Sequence, residues 1–421
     1  MKNALVIGSG AREHALTVKL SQSKGIGKIN AAPGNPGMGK LGQLHPKVNL
    51  EDPRSIVECA LDCQADLVVI GSEVPLCAGA VDALLAAGIP AVGPSQAAAE
   101  IEGSKKFGRE VAAYANVPHP ICDHFRDFGQ ARQYVLAHDF NLVIKKDGLA
   151  AGKGVWPTAS GEAAMGCLRD LQLDGYFDEG GVVLLEERLT GREVSGHALT
   201  DGETIIHLPY SCDHKRLYDG DLGPNTGGMG CYCRAVWLDD STAEEMDAYT
   251  KAVLKAMRRL RRPYRGFLYP GWMVTKDGLR ILEFNCRLGD PEAQVILPLL
   301  EGDLFEILLA TTNRTLNKVK IDWSKQVAVG VVLVSEGYGL VERPKTGFPI
   351  TGIEDVDADV LVFHAGTKLM DGQLVTAGGR VLTVVALGHT LEEARERVYD
   401  NVGRIHFRGK RYRKDIGLIQ G

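Results

Sequence analysis

The chain has 421 residues, 45% hydrophobic and 24% charged, an ordinary globular composition with room for two to four domains. Its net charge of −5, from 48 Lys+Arg against 53 Asp+Glu, argues against nonspecific nucleic-acid binding. Nine scattered cysteines, none in CxxC spacing and without a matching His or Cys pair at zinc-finger distance, read as reduced thiols of a cytoplasmic protein. No apolar run of about 18 residues marks a membrane span. "MKNALVIGSG" reads as a strand entering a Gly turn, not as a signal peptide.

In chain order, "NALVIGSG", "KINAAPGNPG", "ADLVVIGSE" and "IPAVGPS" predict strands. Helical patterns lie between them at "REHALTVKLSQS", "DPRSIVECALDC" and "LCAGAVDALLAAG". Asp52 is the expected N-cap of the second, with Pro53 in its first turn. This βαβαβ order predicts a doubly wound parallel sheet over 1–101. From Glu102 the pattern changes. A helix, "SKKFGREVAAYANV", precedes two strand-rich units, "NLVIKKDGLAAGKGV" and "GVVLLEERLTGREVSGHAL", which flank a helix, "SGEAAMGCLRDLQ". A Gly-rich loop, "CDHKRLYDGDLGPNTGGMG", follows, then a helix ending in the basic run Arg258–Arg262, which suits the helix dipole. A strand pair leads into "ILEFNCRLGDPEAQ". A linker helix is expected over 298–326, and strands with one amphipathic helix make a smaller α/β domain over 327–421.

Several stretches carry chemistry. Gly8 and Gly10 sit at a strand–helix turn, but Glu13 holds the third glycine position of a dinucleotide fingerprint. The turn suits a phosphate-bearing small molecule better than NAD or FAD, with a purely structural turn as the alternative. "APGNPG" and "GSEVPL" follow the second and third strands, at the edge where open parallel sheets bind ligands. In "IKKDGLAAGKGV", Lys145 ends a strand, and Gly148, Gly152, Lys153 and Gly154 form a loop suited to phosphates, although no Walker A pattern is present. Leu189 is placed to seat a flat base and Glu193 to accept from ribose hydroxyls, although a Glu pair such as Glu186–Glu187 is commonly surface. In "GPNTGGMG" the glycines suit a loop wrapped around a small substrate; Thr226 adds a hydroxyl, and Met229 suits packing.

Glu283, Asn285 and Arg287 alternate with Leu282, Phe284 and Cys286. A strand would gather the polar three on one face and the apolar three on the other. Two readings stand on these residues alone. One is a Mg2+ site at Glu283 and Asn285 with Arg287 facing an anion. The other is an ordinary strand end with a salt bridge, and Asp290 as a cap.

Together, "GSGAREHAL", "APGNPG", "EGSKKF", "DGLAAGKGV", "DHKR", "GPNTGGMG", "EFNCRLGDPE", "FHAGTK", "GGRVL" and "RKDIG" resemble the glycinamide ribonucleotide synthetase (phosphoribosylamine–glycine ligase) family of the ATP-grasp superfamily, over nearly the whole chain. The resemblance implies three parts: a Rossmann-like domain over 1–101; an ATP-grasp domain of two α+β subdomains over 102–297, with its lid at about 122–192; and the C-terminal α/β domain. It implies ATP as substrate and Mg2+ or Mn2+ as cofactor. ATP would meet Lys105, Lys145, Gly152, Lys153, Glu186, Glu187, Leu189 and Glu193, and the metal Glu283 and Asn285. Gly10, Arg12, Glu13, Asn35 and Glu73 would bind phosphoribosylamine. Thr226, Gly227, Gly228, Met229 and Asp290 would bind substrate near glycine, with Arg287, Lys215 and Asp213 catalytic. The implied reaction activates glycine as glycyl phosphate and passes the glycyl group to the amine of phosphoribosylamine.

The resemblance has departures. "GSEVPL" stands where the family has GPEAPL, Lys146 where a small residue is usual, and "LYPGWMV" lacks the second metal carboxylate of many ATP-grasp enzymes. By alternation Lys146 should face away from Lys145. The partners implied are small molecules only, with no nucleic acid or membrane, and a monomer or at most a weak dimer is expected. Competing readings are a different carboxylate–amine ligase, a nucleotide-binding module without catalysis, and a dehydrogenase.

Overall fold

The computed structural model describes residues 1–138, 141–149, 154–341 and 343–419. Gly152 and Lys153 lie outside the described residues.

The N-terminal residues build a five-stranded sheet in the order Gln43–Leu44, Ile26–Pro33, Lys2–Gly8, Leu67–Ile70, Ala91–Val92. Every pairing is parallel, and the first strand is central, with Ile26–Pro33 on one side and Leu67–Ile70 on the other. That reversal of direction opens a crevice at the strands' C-terminal ends. The predicted cap at Asp52 is present: its side chain accepts from the Arg54 N–H, and Pro53 opens the helix Pro53–Asp62. The helix expected over 76–88 is divided in two, Glu73–Cys77 and Ala80–Ala86, because Gly79 adopts φ +91° between them.

A second sheet has eight strands in the order Gly278–Asn285, Gly266–Thr275, Arg192–Thr200, Ile205–Asp213, Gly230–Cys233, Val327–Val334, Arg380–Gly388, Leu361–His364, all antiparallel. Gly230–Cys233 pairs directly with Val327–Val334, so the strands expected in a separate C-terminal unit continue the central sheet. The stretch 212–230, read as a loop, contains a short hairpin of Arg216–Tyr218 with Leu222–Asn225. Two large hydrophobic clusters run through the N-terminal and eight-stranded sheets and join them.

The third sheet stands apart, with four antiparallel strands in the order Cys122–Phe125, Val183–Glu187, Leu142–Lys146, Val155–Pro157. Helices Phe128–Ala137 and Gly161–Leu173 cover it, and Ile144, Leu168 and Leu185 belong to its own small core. A layer with a private core can move as a unit over its neighbours, as a lid must.

Leu168 is fully buried in that core. Leu168→Ala should lower stability by about 2–5 kcal/mol. Urea unfolding followed by proteolysis within 122–187 should show the loss first in this layer.

Candidate active site

The three sheets enclose a cleft of about 880 Å³. One wall is the strand Gly278–Asn285. Glu283 pairs with Gly271 and Ile281 with Trp272, which leaves Leu282 as an extra, unpaired residue. This β-bulge re-aims the chain. Leu282 therefore leaves the apolar face expected for it and lines the cleft beside Glu283. Its carbonyl accepts from Arg109 Nη2 at 2.6 Å and Lys145 Nζ at 3.2 Å. Phe284 and Cys286 stay buried, and Phe284 also lines the cleft.

Lys145 and Arg109 share one carboxylate. Glu186 takes Arg109 Nε and Nη2 at 2.7 and 2.9 Å, and Lys145 Nζ at 2.7 Å. Burial alone would raise the Glu186 carboxyl, but the two cations win and hold it at about 2. Glu186 is thus a buried anchor and not the surface residue a Glu pair suggests. Lys146 turns the other way, with Nζ 4.5 Å from the Tyr176 ring centre, as alternation predicted. Lys105, in the first turn of the helix Lys105–Tyr114, donates to the Gly148 carbonyl at 2.7 Å. Glu187 and Leu189 also line this side.

Glu283 is half open to the cleft, 3.8 Å from Lys215 Nζ. Burial opposes its ionisation, but Lys215, Lys145, Lys105 and Arg287 overcome it and hold the carboxyl below its ordinary range. Asn285 donates from Nδ2 to the Tyr269 carbonyl at 3.4 Å, which leaves Oδ1 as its available acceptor. A carboxylate and an amide oxygen are hard donors that fit a divalent ion such as Mg2+.

The second wall is the crevice of the parallel sheet. Arg287 bridges two carboxylates, Glu73 at 3.0 Å and Glu102 at 2.9 Å. Burial works against the Glu73 charge, yet Arg287 and Arg12 bring its carboxyl to about 2. Glu102 goes the other way, raised by burial and by neighbouring Glu73 despite Arg287. Arg12 is held at 2.7 Å by Glu13, whose other oxygen accepts from the Gly10 N–H at 2.7 Å. Glu13 therefore occupies the helix N-terminus that the sequence offered to a phosphate. Gly8, with φ +130°, accommodates it: a Cβ there would meet Glu13 Cγ at 2.4 Å. Asn35 uses its side chain on Gly37 N, Met38 N, Ser9 O and His364 O. Gly10, Glu13 and Asn35 shape the crevice from behind and do not line the cleft.

The third wall holds the Gly-rich loop. Lys215 pairs with Glu193 at 2.9 Å, so the carboxylate expected to meet ribose is engaged by a lysine here. Asp213 Oδ1 is buried without a hydrogen-bond partner among the described residues. Burial and the nearby Glu292 carboxylate push the Asp213 carboxyl above its ordinary range. Arg380 donates to the Gly227 and Asp290 carbonyls at 2.6 and 2.7 Å and pairs with Asp290 Oδ2 at 3.0 Å. Thr226 Oγ1 accepts from the Gly228 N–H and donates to the Lys215 carbonyl. Gly228 has φ +106°, and a Cβ there would meet Pro291 Cδ at 2.5 Å and Asp213 Oδ1 at 2.8 Å. Met229 packs with Leu217, Val332 and Val334, so its side chain is part of the core.

Three domain profiles of one family match the chain: the phosphoribosylglycinamide synthetase N domain over 2–102, the ATP-grasp (A) domain over 103–293 and the C domain over 328–419. The chain belongs to the phosphoribosylglycinamide synthetase family. It is 41% identical over 418 residues to the phosphoribosylamine–glycine ligase of Halalkalibacterium halodurans, covering 99% of this chain and 96% of that one. It is 44% identical over 419 residues to the trifunctional purine biosynthetic protein adenosine-3 of Gallus gallus, covering 98% of this chain and 42% of that longer one. The crystal structure of phosphoribosylamine–glycine ligase from Thermotoga maritima superposes with a TM-score of 0.84 at 32% identity, covering 98% of this chain and all of that one (100%). The biotin carboxylase domain of Hydrogenobacter thermophilus 2-oxoglutarate carboxylase shares the fold alone, with a TM-score of 0.73 at 16% identity, covering 97% of this chain and 91% of that one.

In this member of the phosphoribosylglycinamide synthetase family, the cleft gathers most of the residues singled out in the sequence, from Arg12 and Glu73 to Lys105, Lys145, Lys215, Glu283, Arg287 and Asp290. Of the lining residues that escaped notice, Glu102, Glu292 and Arg380 are charged groups beside the second and third walls. These three lie inside quoted motifs, "EGSKKF", "GDPE" and "GGRVL", but no spacing rule links them to partners 90 or more positions away, as Arg380 is from Asp290.

The Glu186 carboxyl lies at about 2 in the fold against 4.5 ordinarily. Its stabilising effect is complete above the ordinary value and is lost as pH falls from there toward the folded one. Glu186→Gln strands two buried cations and should cost about 3–5 kcal/mol at neutral pH. Urea titrations across pH should also show a shallower loss of stability on the acid side for the variant.

Proposed function

We infer that this chain catalyses the ATP-dependent ligation of glycine to 5-phosphoribosylamine, giving glycinamide ribonucleotide, ADP and phosphate, a step of purine biosynthesis. One observation carries the reading. A single cleft joins a lysine-rich, lid-covered wall, a pair of hard-oxygen donors, and the ligand-binding crevice of a parallel sheet.

Phosphoryl transfer asks mainly for positioning and charge neutralisation. Lys105 and Lys145 approach the phosphates from the lid side, and the lid strands give the nucleotide its seat near Glu186–Leu189. Glu283 and Asn285 would hold a divalent ion, Mg2+ or Mn2+. When bound, that ion neutralises phosphate charge. A glycine carboxylate oxygen attacks the γ-phosphorus, the bond to the β,γ-bridging oxygen breaks, and ADP leaves with glycyl phosphate behind. Arg287 and Lys215 face the charge that develops on the transferring group. The free amine of phosphoribosylamine then attacks the acyl carbon, phosphate departs, and the nitrogen loses a proton. Arg12 and Arg287, each set by Glu73 and its neighbours, position the phosphoribosyl group at the crevice. The Thr226–Gly228 loop, clamped by Arg380 and Asp290, holds glycine. Closure of the lid excludes water from the acyl phosphate. No helix among the described residues is long and apolar enough to cross a membrane. The reading is completed by a monomer, or at most a weak dimer, in the cytoplasm, without nucleic acid.

ADP release should require ATP, Mg2+, glycine and freshly made phosphoribosylamine together. ADP formation indifferent to either co-substrate would overturn the reading. Glu283→Ala should abolish turnover with unchanged far-UV circular dichroism. Arg380→Ala frees the Gly-rich loop and should lower kcat/KM for glycine by about 10²-fold, with the KM for ATP little changed. Initial-rate kinetics with each substrate varied in turn measure both.

A further inference from the structure

A cluster outside the cleft lining brings together residues that the sequence keeps apart. His45 follows the edge strand Gln43–Leu44, and Cys59 and Cys63 lie on the helix Pro53–Asp62 and at its C-cap. An i,i+4 spacing puts both thiols on one helix face. One ring nitrogen of His45 and the two sulfurs lie within 4.8 Å of one another. His45 Nε2 is 3.0 Å from Asn30 Oδ1, and in the tautomer that donates from Nε2 to this oxygen Nδ1 keeps its lone pair. A second hydrogen bond that sets the imidazole tautomer is the usual support of a metal-bound histidine. The backbone is anchored too, because His45 N donates to the Ala31 carbonyl at 2.8 Å. Cys59 is buried, while His45 and Cys63 are half-buried, which leaves an approach for an ion from solvent.

We propose that His45, Cys59 and Cys63 form a second metal site, for a zinc-class divalent ion, in the N-terminal domain. Two thiolates and a neutral imidazole balance a divalent charge, and soft sulfur donors select against the Mg2+ that suits Glu283 and Asn285. Binding releases the two thiol protons. The ion ties the helix Pro53–Asp62 to the edge strand. Leu44, next to His45, packs against Gly34 and Gly39 in the segment that borders the crevice. The site thus braces the loop behind the phosphoribosylamine pocket without touching the reacting atoms.

Co2+ is the probe, added to full-length reduced protein with excess Mg2+ present. The wild type should bind one Co2+ per chain, with a thiolate-to-cobalt charge-transfer band and intense visible bands of tetrahedral type. Zn2+ should bleach them and raise Tm. Cys63→Ser should abolish the charge-transfer band or reduce it to that of a single thiolate. His45→Ala should weaken binding at least about tenfold, and Cys122→Ser should change nothing. If buried Cys59→Ser fails to fold, Cys63→Ser at the half-buried helix end still decides the matter, with circular dichroism and ADP release as checks of its fold. No charge-transfer band in the reduced wild type, or an unchanged band in Cys63→Ser, would overturn the proposal.

Discussion

The cleft depends on one buried carboxylate. Glu186 holds Lys145 from the neighbouring lid strand and Arg109 from the helix beneath, and both cations reach the Leu282 carbonyl on the eight-stranded sheet. A buried anion with two partners in good geometry is stable where a single lost partner would be costly. The node links the four-stranded sheet, the helix Lys105–Tyr114 and the strand that bears Glu283. It also keeps Lys145 at the cleft before any phosphate arrives. Preorganised charge of this kind needs little rearrangement during a reaction, which is where its effect on rate comes from.

The other walls repeat the arrangement with different partners. Arg287 stands between Glu73 and Glu102, Arg12 against Glu13, Lys215 against Glu193, and Arg380 against Asp290. Apart from Arg12, whose partner Glu13 is its neighbour on the same helix, each cation is aimed by a carboxylate from another element, and Arg380 comes from a strand beyond the ATP-grasp segment. The continuous eight-stranded sheet makes that reach possible. Pairing of Gly230–Cys233 with Val327–Val334 brings the C-terminal strands into the same layer as the strand that bears Glu283 and Asn285. The Gly-rich loop is then closed from both sides, by Asp213 before it and Arg380 after it.

Much of this was legible in the chain because it is local. The Asp52 cap, the opposed directions of Lys145 and Lys146, and the crevice at the ends of the parallel strands follow from periods of 2 and 3.6 and from turn chemistry. The polar row of Glu283, Asn285 and Arg287 was legible for the same reason. Leu282 broke the pattern because a bulge depends on the facing strand, and the extra residue exists only in relation to Gly271 and Trp272. Glu13 looked like the loss of a dinucleotide fingerprint; folded, it is the carboxylate that closes that turn and aims Arg12.

By itself the sequence determined the order of elements, the strand faces, the Gly-rich turns and the family, since these rest on near neighbours and on long ordered motifs. Only the tertiary structure decided which carboxylate holds which cation, that Met229 is core, that Asn35 is spent on backbone groups, and that His45 meets Cys59 and Cys63. Those outcomes depend on contacts between residues far apart in the chain, and on the burial that shifts their charges. Neither is written in any local period.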